Sequence, residues 1–240
     1  MKIKKWILTG CLSCFGLLAP AQNIMEVYDK PFNFGVRLGF NSKFPIIHSF
    51  FIDNQPINDY RMHYKVGYQA AFSCSVNMNR FFIQPTICWE RTQAEVQFVL
   101  PEHDNTVTGN DFNLYNNKIE AEYNSIAVPV LAGYHLVKVG PYGLNVKIGP
   151  KGIYHYKKRQ KGNSTQLEMN HKNDNIDYTI NLVTAIGVTI GRLFLDFSYE
   201  FGLHNSKANF TYFNPTTNET GNMLLVKRSN ALSFSLGMVF

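Results

Sequence analysis

Ser229-Asn-Ala-Leu-Ser-Phe-Ser-Leu-Gly-Met-Val-Phe240 is the stretch whose reading decides the fold. Successive side chains of an extended chain point to opposite sides. Leu232, Phe234, Leu236, Met238 and Phe240 therefore share one face, and Ala231, Ser233, Ser235, Gly237 and Val239 share the other. In water, a strand of this kind at the end of the chain would leave an apolar face and a free edge. Both liabilities disappear if the face meets lipid and the edge closes a barrel against the first strand.

Seven further strands repeat the alternation. Phe32–Phe40 sets Phe34, Val36, Leu38 and Phe40 against Asn33, Gly35, Arg37 and Gly39. Tyr64–Val76 and Arg80–Phe98 form the next pair, joined by a tight turn at Met78-Asn79 that pairs Asn77 with Arg80, Ile83 with Cys74 and Trp89 with Tyr68. After Arg91 the apolar phase slips to Ala94, Val96 and Phe98, which suggests a bulge. The fourth strand turns Ile126, Val128, Val130, Ala132, Tyr134 and Leu136 outward, and the fifth runs from Tyr142 to Lys157. The sixth covers Tyr178–Ile190, and a Gly-first turn at Gly191-Arg192 leads to the seventh, Leu193–Leu203. Pro85, Pro129 and Pro150 lie inside strands, where a missing N–H predicts local bulges. Long polar connections, at about 41–63, 100–118, 158–175 and 206–227, alternate with short turns. The pattern predicts an all-β, eight-stranded antiparallel transmembrane β-barrel with short periplasmic turns and four long extracellular loops.

Alternation alone does not separate a lipid-facing barrel from a soluble one. The aromatic residues do. Phe40, Tyr64, Trp89, Tyr154, Tyr156, Tyr178 and Phe201 fall at the loop ends of the strands, and Phe34, Phe81, Tyr134, Tyr142 and Phe240 at the turn ends. Two belts with aliphatic residues between them match the two interfaces of a bilayer, whereas a lipocalin-like barrel would carry its apolar face inside.

Targeting and charge agree. Lys2, Lys4 and Lys5, an apolar run from Trp6 to Leu18 and Ala19-Pro20-Ala21 read as a signal peptide over residues 1–21, leaving a barrel domain over 22–240. A competing lipoprotein-type cut at Leu8-Thr9-Gly10-Cys11 would leave too short an apolar core. The net charge of +6 falls to +3 once the three leader lysines are removed, which excludes a nucleic-acid patch. Cys74 and Cys88 project to opposite faces, so a disulfide between them is not expected.

From Tyr123 onward the chain resembles the PorT-like small outer-membrane β-barrel proteins of the Bacteroidetes group. The stretches that carry the resemblance are Ser125-Ile-Ala-Val-Pro-Val-Leu-Ala-Gly-Tyr134, Lys147-Ile-Gly-Pro-Lys-Gly-Ile-Tyr154 and Gly191-Arg-Leu-Phe-Leu-Asp-Phe-Ser-Tyr-Glu-Phe-Gly-Leu203, with the first and last strands in agreement. The resemblance implies the barrel and the outer membrane. Some members look like accessory parts of a secretion machine, and the family supplies no catalytic residues.

Arg37, Lys65, Glu90, Lys147, Lys151, Asp196 and Glu200 fall on the inward face. Buried charges must find partners, and an eight-stranded barrel is just wide enough for its own side chains, so these residues are expected to pair and plug the lumen. The alternative for the same residues is a narrow polar path for small solutes. His204 and Ser206, with Glu200 or Glu219 to orient them, resemble the His and Ser of a barrel lipid deacylase. By parity, however, His204 faces the lumen and not the lipid. His48, His63, His103 and His171 lack metal-ligand spacing. Phe44, Ile46, Ile47, Phe50, Phe51 and Ile52 either pack within the first loop or form a docking surface. The expectation is a non-enzymatic protein without cofactor, in contact with outer-membrane lipid and with other envelope proteins.

Overall fold

The computed structural model describes residues 30–53, 55–57, 60–98, 117–139, 141–163, 168–172, 178–214 and 219–240. The leader, His103 and the segment 99–116 lie outside these residues. The strands are β1 (Phe32–Ile52), β2 (Gln55–Pro56), β3 (Tyr60–Tyr64), β4 (Val66–Met78), β5 (Phe81–Phe98), β6 (Asn117–Val139), β7 (Tyr142–Asn163), β8 (Glu168–Lys172), β9 (Tyr178–Ile190), β10 (Leu193–Gly202), β11 (Asn205–Asn214) and β12 (Glu219–Val239).

Eight of them form a ring in the order β1-β4-β5-β6-β7-β9-β10-β12, and β12 returns to pair antiparallel with β1 from Gly35↔Val239 to Ile52↔Met223. The C-terminal strand thus has no free edge within the ring. Outward positions are apolar: Leu38 is 70% exposed, Ile87 62% and Ile186 53%. Inward positions are polar and buried, among them Asn33, Gln69, Thr86, Asn145, Thr189 and Ser235. This is a soluble protein turned inside out, as lipid requires.

The hairpin register differs from the sequence reading by two residues. Asn79 and Arg80 form the turn, so Met78 pairs with Phe81, Val76 with Ile83 and Tyr68 with Arg91. A two-residue hairpin turn needs a positive φ at its first position, and Asn79 supplies it at 64°. An even shift leaves every face unchanged, which is why alternation alone could not detect it. At the equivalent place between β9 and β10, Gly191 takes φ 60° and leaves Ile190 opposite Leu193.

β5 itself carries no bulge after Arg91, and the one-residue slip there, between Tyr68↔Arg91 and Tyr64↔Ala94, puts the extra residue on the β3–β4 side. The β5–β6 register is constant from Phe81↔Tyr134 to Phe98↔Asn117. The apolar residues change face because the surroundings change. Up to Trp89 the outer face meets lipid, whereas beyond it Arg91, Gln93, Glu95 and Gln97 take the outward positions, Glu95 covered there by Lys65 and Gln97, and Val96 and Phe98 are buried inside. Prolines do not create bulges either. The β4–β5 ladder lapses at Pro85, the β5–β6 ladder where Pro129 faces Thr86 and the β6–β7 ladder where Pro150 faces Val130; each resumes in the same register, and each proline stays paired on its other side, with Val130, Lys151 and Leu182 respectively. A proline removes one donor from one ladder, and the ladder on its other side holds the strand in phase. Further shifts fall at Ile47/Ser49, leaving His48 of β1 unpaired, opposite Asn124/Ser125, leaving Tyr156 of β7 unpaired, and at His135/Val137, leaving Leu136 of β6 unpaired.

The first, third and fourth long polar segments are largely strands. β1 continues to Ile52, β7 to Asn163, and β11 pairs with β12 from Asn205↔Arg228 to Asn214↔Glu219, with β8 beside β11. These extensions enclose a second core of Phe50, Ile52, Ile57, Phe98, Ile119, Phe210, Met223 and Leu225, with Ile47, Tyr60 and Tyr212 packed against it. Phe50 and Ile52, weighed above as a docking surface, are buried there, while Ile46 stays 40% exposed.

Candidate functional site

The lumen is filled in tiers, each set by the inward parity of the ring strands. At the turn end two aromatic side chains act as stoppers. Phe82 lies opposite Gly133 and Phe194 opposite Gly237 in the ladders. A Cβ on either glycine would come 2.2 Å from the facing ring, so both phenyl groups lie flat in space that only glycine leaves open. His135 packs on Phe82 with centroids 4.7 Å apart.

Above the stoppers, Lys147 Nζ contacts both carboxylate oxygens of Asp196 at 2.7 Å and also reaches Gln84 Oε1 at 3.3 Å. Arg37 Nη1 joins the same carboxylate at 3.2 Å. One tier higher, Lys151 Nζ bridges Glu90 Oε1, at 2.5 Å, and Glu200 Oε1. Asn181 Nδ2 donates to Glu200 Oε2 at 3.4 Å, and the buried Cys88 thiol donates to Glu90 at 3.4 Å. Cys74 and Cys88 are both free thiols. Three cations face three carboxylates in these two tiers, one arranged two to one and the other one to two. Such networks satisfy buried charge without guaranteeing net stability.

Lys65 does not belong to this set. It lies in the break between β3 and β4, so the alternation of β4 does not extend to it, and its side chain is 37% exposed. Its Nζ contacts Glu95 at 2.6 Å and Glu120 at 3.4 Å, and Lys118 also reaches Glu120 at 3.0 Å. Burial works against ionisation of Glu95, but hydrogen bonds from Lys65 and Gln97 outweigh it and hold the carboxyl below the ordinary carboxylate range. A depressed folded-state value means that the contribution is present above the unfolded value and is lost as the pH falls through the folded one. Exchange of the β3 amides Tyr60–Tyr64, corrected for intrinsic rates, is therefore expected to quicken below about pH 4, and Glu95→Gln to remove that dependence. A wild-type profile equal to that of Glu95→Gln would show that the contact does not hold β3.

The aromatic residues of the two belts point outward. Tyr64 is 60% exposed and Tyr178 72%, while Trp89 Nε1 donates to Tyr156 Oη at 2.7 Å. Tyr154 stacks on Tyr178 at 4.9 Å, and at the turn end Phe81 packs on Tyr134 at 4.9 Å. Phe40, Phe201, Phe34, Tyr142 and Phe240 are also exposed.

His204 is exposed and Ser206 half-buried, and both line a cavity above the upper ion-pair tier together with Lys43, His155, Lys158, Lys207 and Lys227. Glu200 is held by Lys151 below, and the side chain of Glu219 lies outside the described residues. His48 and His63 are exposed, and the side chain of His171 is likewise outside the described set. Among the described residues no group of His, Cys, Asp or Glu could hold a metal ion. Sequence reasoning missed Phe82, Phe194, Lys43 and Lys227. An inward aromatic just after a turn, opposite a glycine, could have revealed the first two; the lysines lie on strand lengths that read as loops.

A closed antiparallel ring with a lipid-facing exterior and a polar, filled interior is an outer-membrane β-barrel. The chain belongs to the outer-membrane protein β-barrel domain family, whose model matches residues 20–208. Its address is accordingly the bacterial outer membrane, with the short turns on the periplasmic side. Among solved structures it is similar to the outer membrane protein OprG from Pseudomonas aeruginosa, at 9% identity over 88% of this chain and 97% of that one, with a TM-score of 0.50. It is also similar to AlkL in lipid bilayers, at 10% identity over 87% and 90% of the two chains and TM-score 0.46. A third is the Escherichia coli outer membrane protease OmpT, at 8% identity over 87% and 96% and TM-score 0.43. At such identities these likenesses speak for the fold alone. No curated protein matches the sequence.

Proposed function

We propose that the protein is a non-enzymatic structural or accessory component of the outer membrane, whose working part is the strand-built extension beyond the lipid. The observation that carries this reading is the filled lumen. Phe82, Phe194 and the two ion-pair tiers occupy the interior, and the apolar core of the extension lies above them. What such a molecule offers its surroundings is surface. The PorT-like resemblance points the same way, towards support of a membrane assembly, of which the secretion machine of some members is one example, with other envelope proteins as partners.

A narrow channel is the competing reading, and conductance separates the two. Purified protein in a planar bilayer is expected to give no discrete opening steps, and a stable conductance of porin size would overturn the reading. Cross-linking in native outer membranes is expected to capture protein neighbours through β11 and the upper half of β12. Recovery of lipid alone would count against a partner-supporting role.

A further inference from the structure

Between the upper ion-pair tier and the apolar core of the extension lies a cavity of about 80 Å³. A site for a single water needs roughly 10–15 Å³ of such space, so this one has room for several waters or one tetrahedral oxyanion. Its lining includes Lys43, Lys158, Lys207 and Lys227, and no carboxylate among the described residues. Ser206, Ser229, Thr179 and Asn181 add hydroxyl and amide groups. His155 is already engaged, by Ser125 at 2.6 Å and Thr179 at 3.0 Å.

Two of the lysines are out of place unless something joins them. Lys227 is 6% exposed, and its ammonium has no hydrogen-bond or ion-pair partner among the described residues. Lys43 stands 5.7 Å over the Tyr123 ring. Glu90 and Glu200 lie within electrostatic reach of Lys43, but both are engaged by Lys151, and Lys227 acts on Lys43 as a like charge. A buried ammonium without a counter-charge is costly, and the half-buried Lys43 beside it adds repulsion. An anion between them removes both penalties.

We propose that this cavity binds a phosphate or sulfate group, with Lys227 and Lys43 as its principal charge partners and Lys207 at the rim. The exposed Lys207 and His204 mark the outer side of the cavity, just beyond the aromatic Phe201 and Tyr178 of the loop-end belt. At that height either a phosphate on an outer-leaflet lipid or a free oxyanion can reach it. The inference is independent of whether the protein supports an assembly.

The test uses the full mature protein in detergent micelles. Titration of the wild type with inorganic phosphate, and separately with sulfate, is expected to give saturable binding and a rise in melting temperature. Lys227→Met is expected to weaken binding at least tenfold and to abolish that rise, while Lys207→Met gives a smaller loss. Lys30→Met, at the turn end, should leave both unchanged. Retention of the heat-sensitive gel shift shows that each variant is folded, and Lys207→Met decides the matter if Lys227→Met is not. A parallel titration with phosphorylated and dephosphorylated lipid A separates the sources: binding of lipid-linked phosphate alone assigns a headgroup, and equal binding of inorganic phosphate assigns a free anion. No saturable binding of inorganic phosphate, sulfate or phosphorylated lipid A to the wild type, or equal binding by wild type and the folded lysine variants, would overturn the proposal.

Discussion

Replacing Lys151 with Met is expected to destabilise the barrel by about 3–5 kcal/mol, enough to remove most or all of the folded form under mild denaturant. Lys151 Nζ is the bridge between Glu90 and Glu200, and all three side chains are buried, at 4% exposure for Lys151. Without the ammonium, two carboxylates face each other in a closed space with little water, and one must take up a proton. The cost comes from the charges left behind and not from the lost contact. It follows that Lys151→Met/Glu90→Gln/Glu200→Gln should recover much of the lost stability, because no unpaired carboxylate then remains in the tier. Urea unfolding in lipid vesicles, followed by tryptophan fluorescence, measures both variants. If the single variant is as stable as the wild type, or the triple variant no better than the single, the plug is not the ion-pair network described.

Phe98→Ala should have an equally large effect at a different place. Phe98 is fully buried in the core of the extension and meets Phe50 edge-on, with centroids 5.1 Å apart and planes at 79°. Truncating a buried phenyl group costs about 3–5 kcal/mol through lost transfer energy and the cavity left behind. That loss falls on the part of the protein outside the lipid, whereas the ring below keeps its own ladders and its own ion pairs. The variant is therefore expected to keep the wild-type heat-dependent gel shift while added protease cleaves its extension at least roughly a hundredfold faster. Loss of the gel shift together with the faster cleavage would mean that the two cores unfold as one unit.

The membrane ring was legible because its code is simple. Phe81, Ile83, Pro85, Ile87 and Trp89 alternate with Phe82, Gln84, Thr86, Cys88 and Glu90, and a two-residue period fixes which side each residue faces. The same parity turned Arg37, Glu90, Lys147, Lys151, Asp196 and Glu200 towards one interior. Parity says nothing about even shifts, so the β4–β5 register came out two residues off until Asn79 took the turn position that needs a positive φ. Nor does it survive a change of solvent. Beyond Trp89 the outside becomes water, the apolar side of the strand becomes the inner one, and a continuous β5 imitates a bulge. For the same reason the upper halves of β1, β7 and β12 read as loops, which hid Lys43 and Lys227 as well as the second core. Lys65 illustrates the remaining gap, since a break between two strands resets the phase that would otherwise place it.

The central claim is that the apolar stripe of each ring strand faces hydrocarbon and the charged stripe faces inward. Electrophoresis of the purified protein with and without boiling, after extraction with and without detergent, tests it most directly. The account predicts that the protein leaves the membrane fraction only with detergent, and that its unboiled form runs as a compact band which boiling shifts to the position of the unfolded chain. A protein that stays in solution without detergent and migrates identically in both lanes would contradict it.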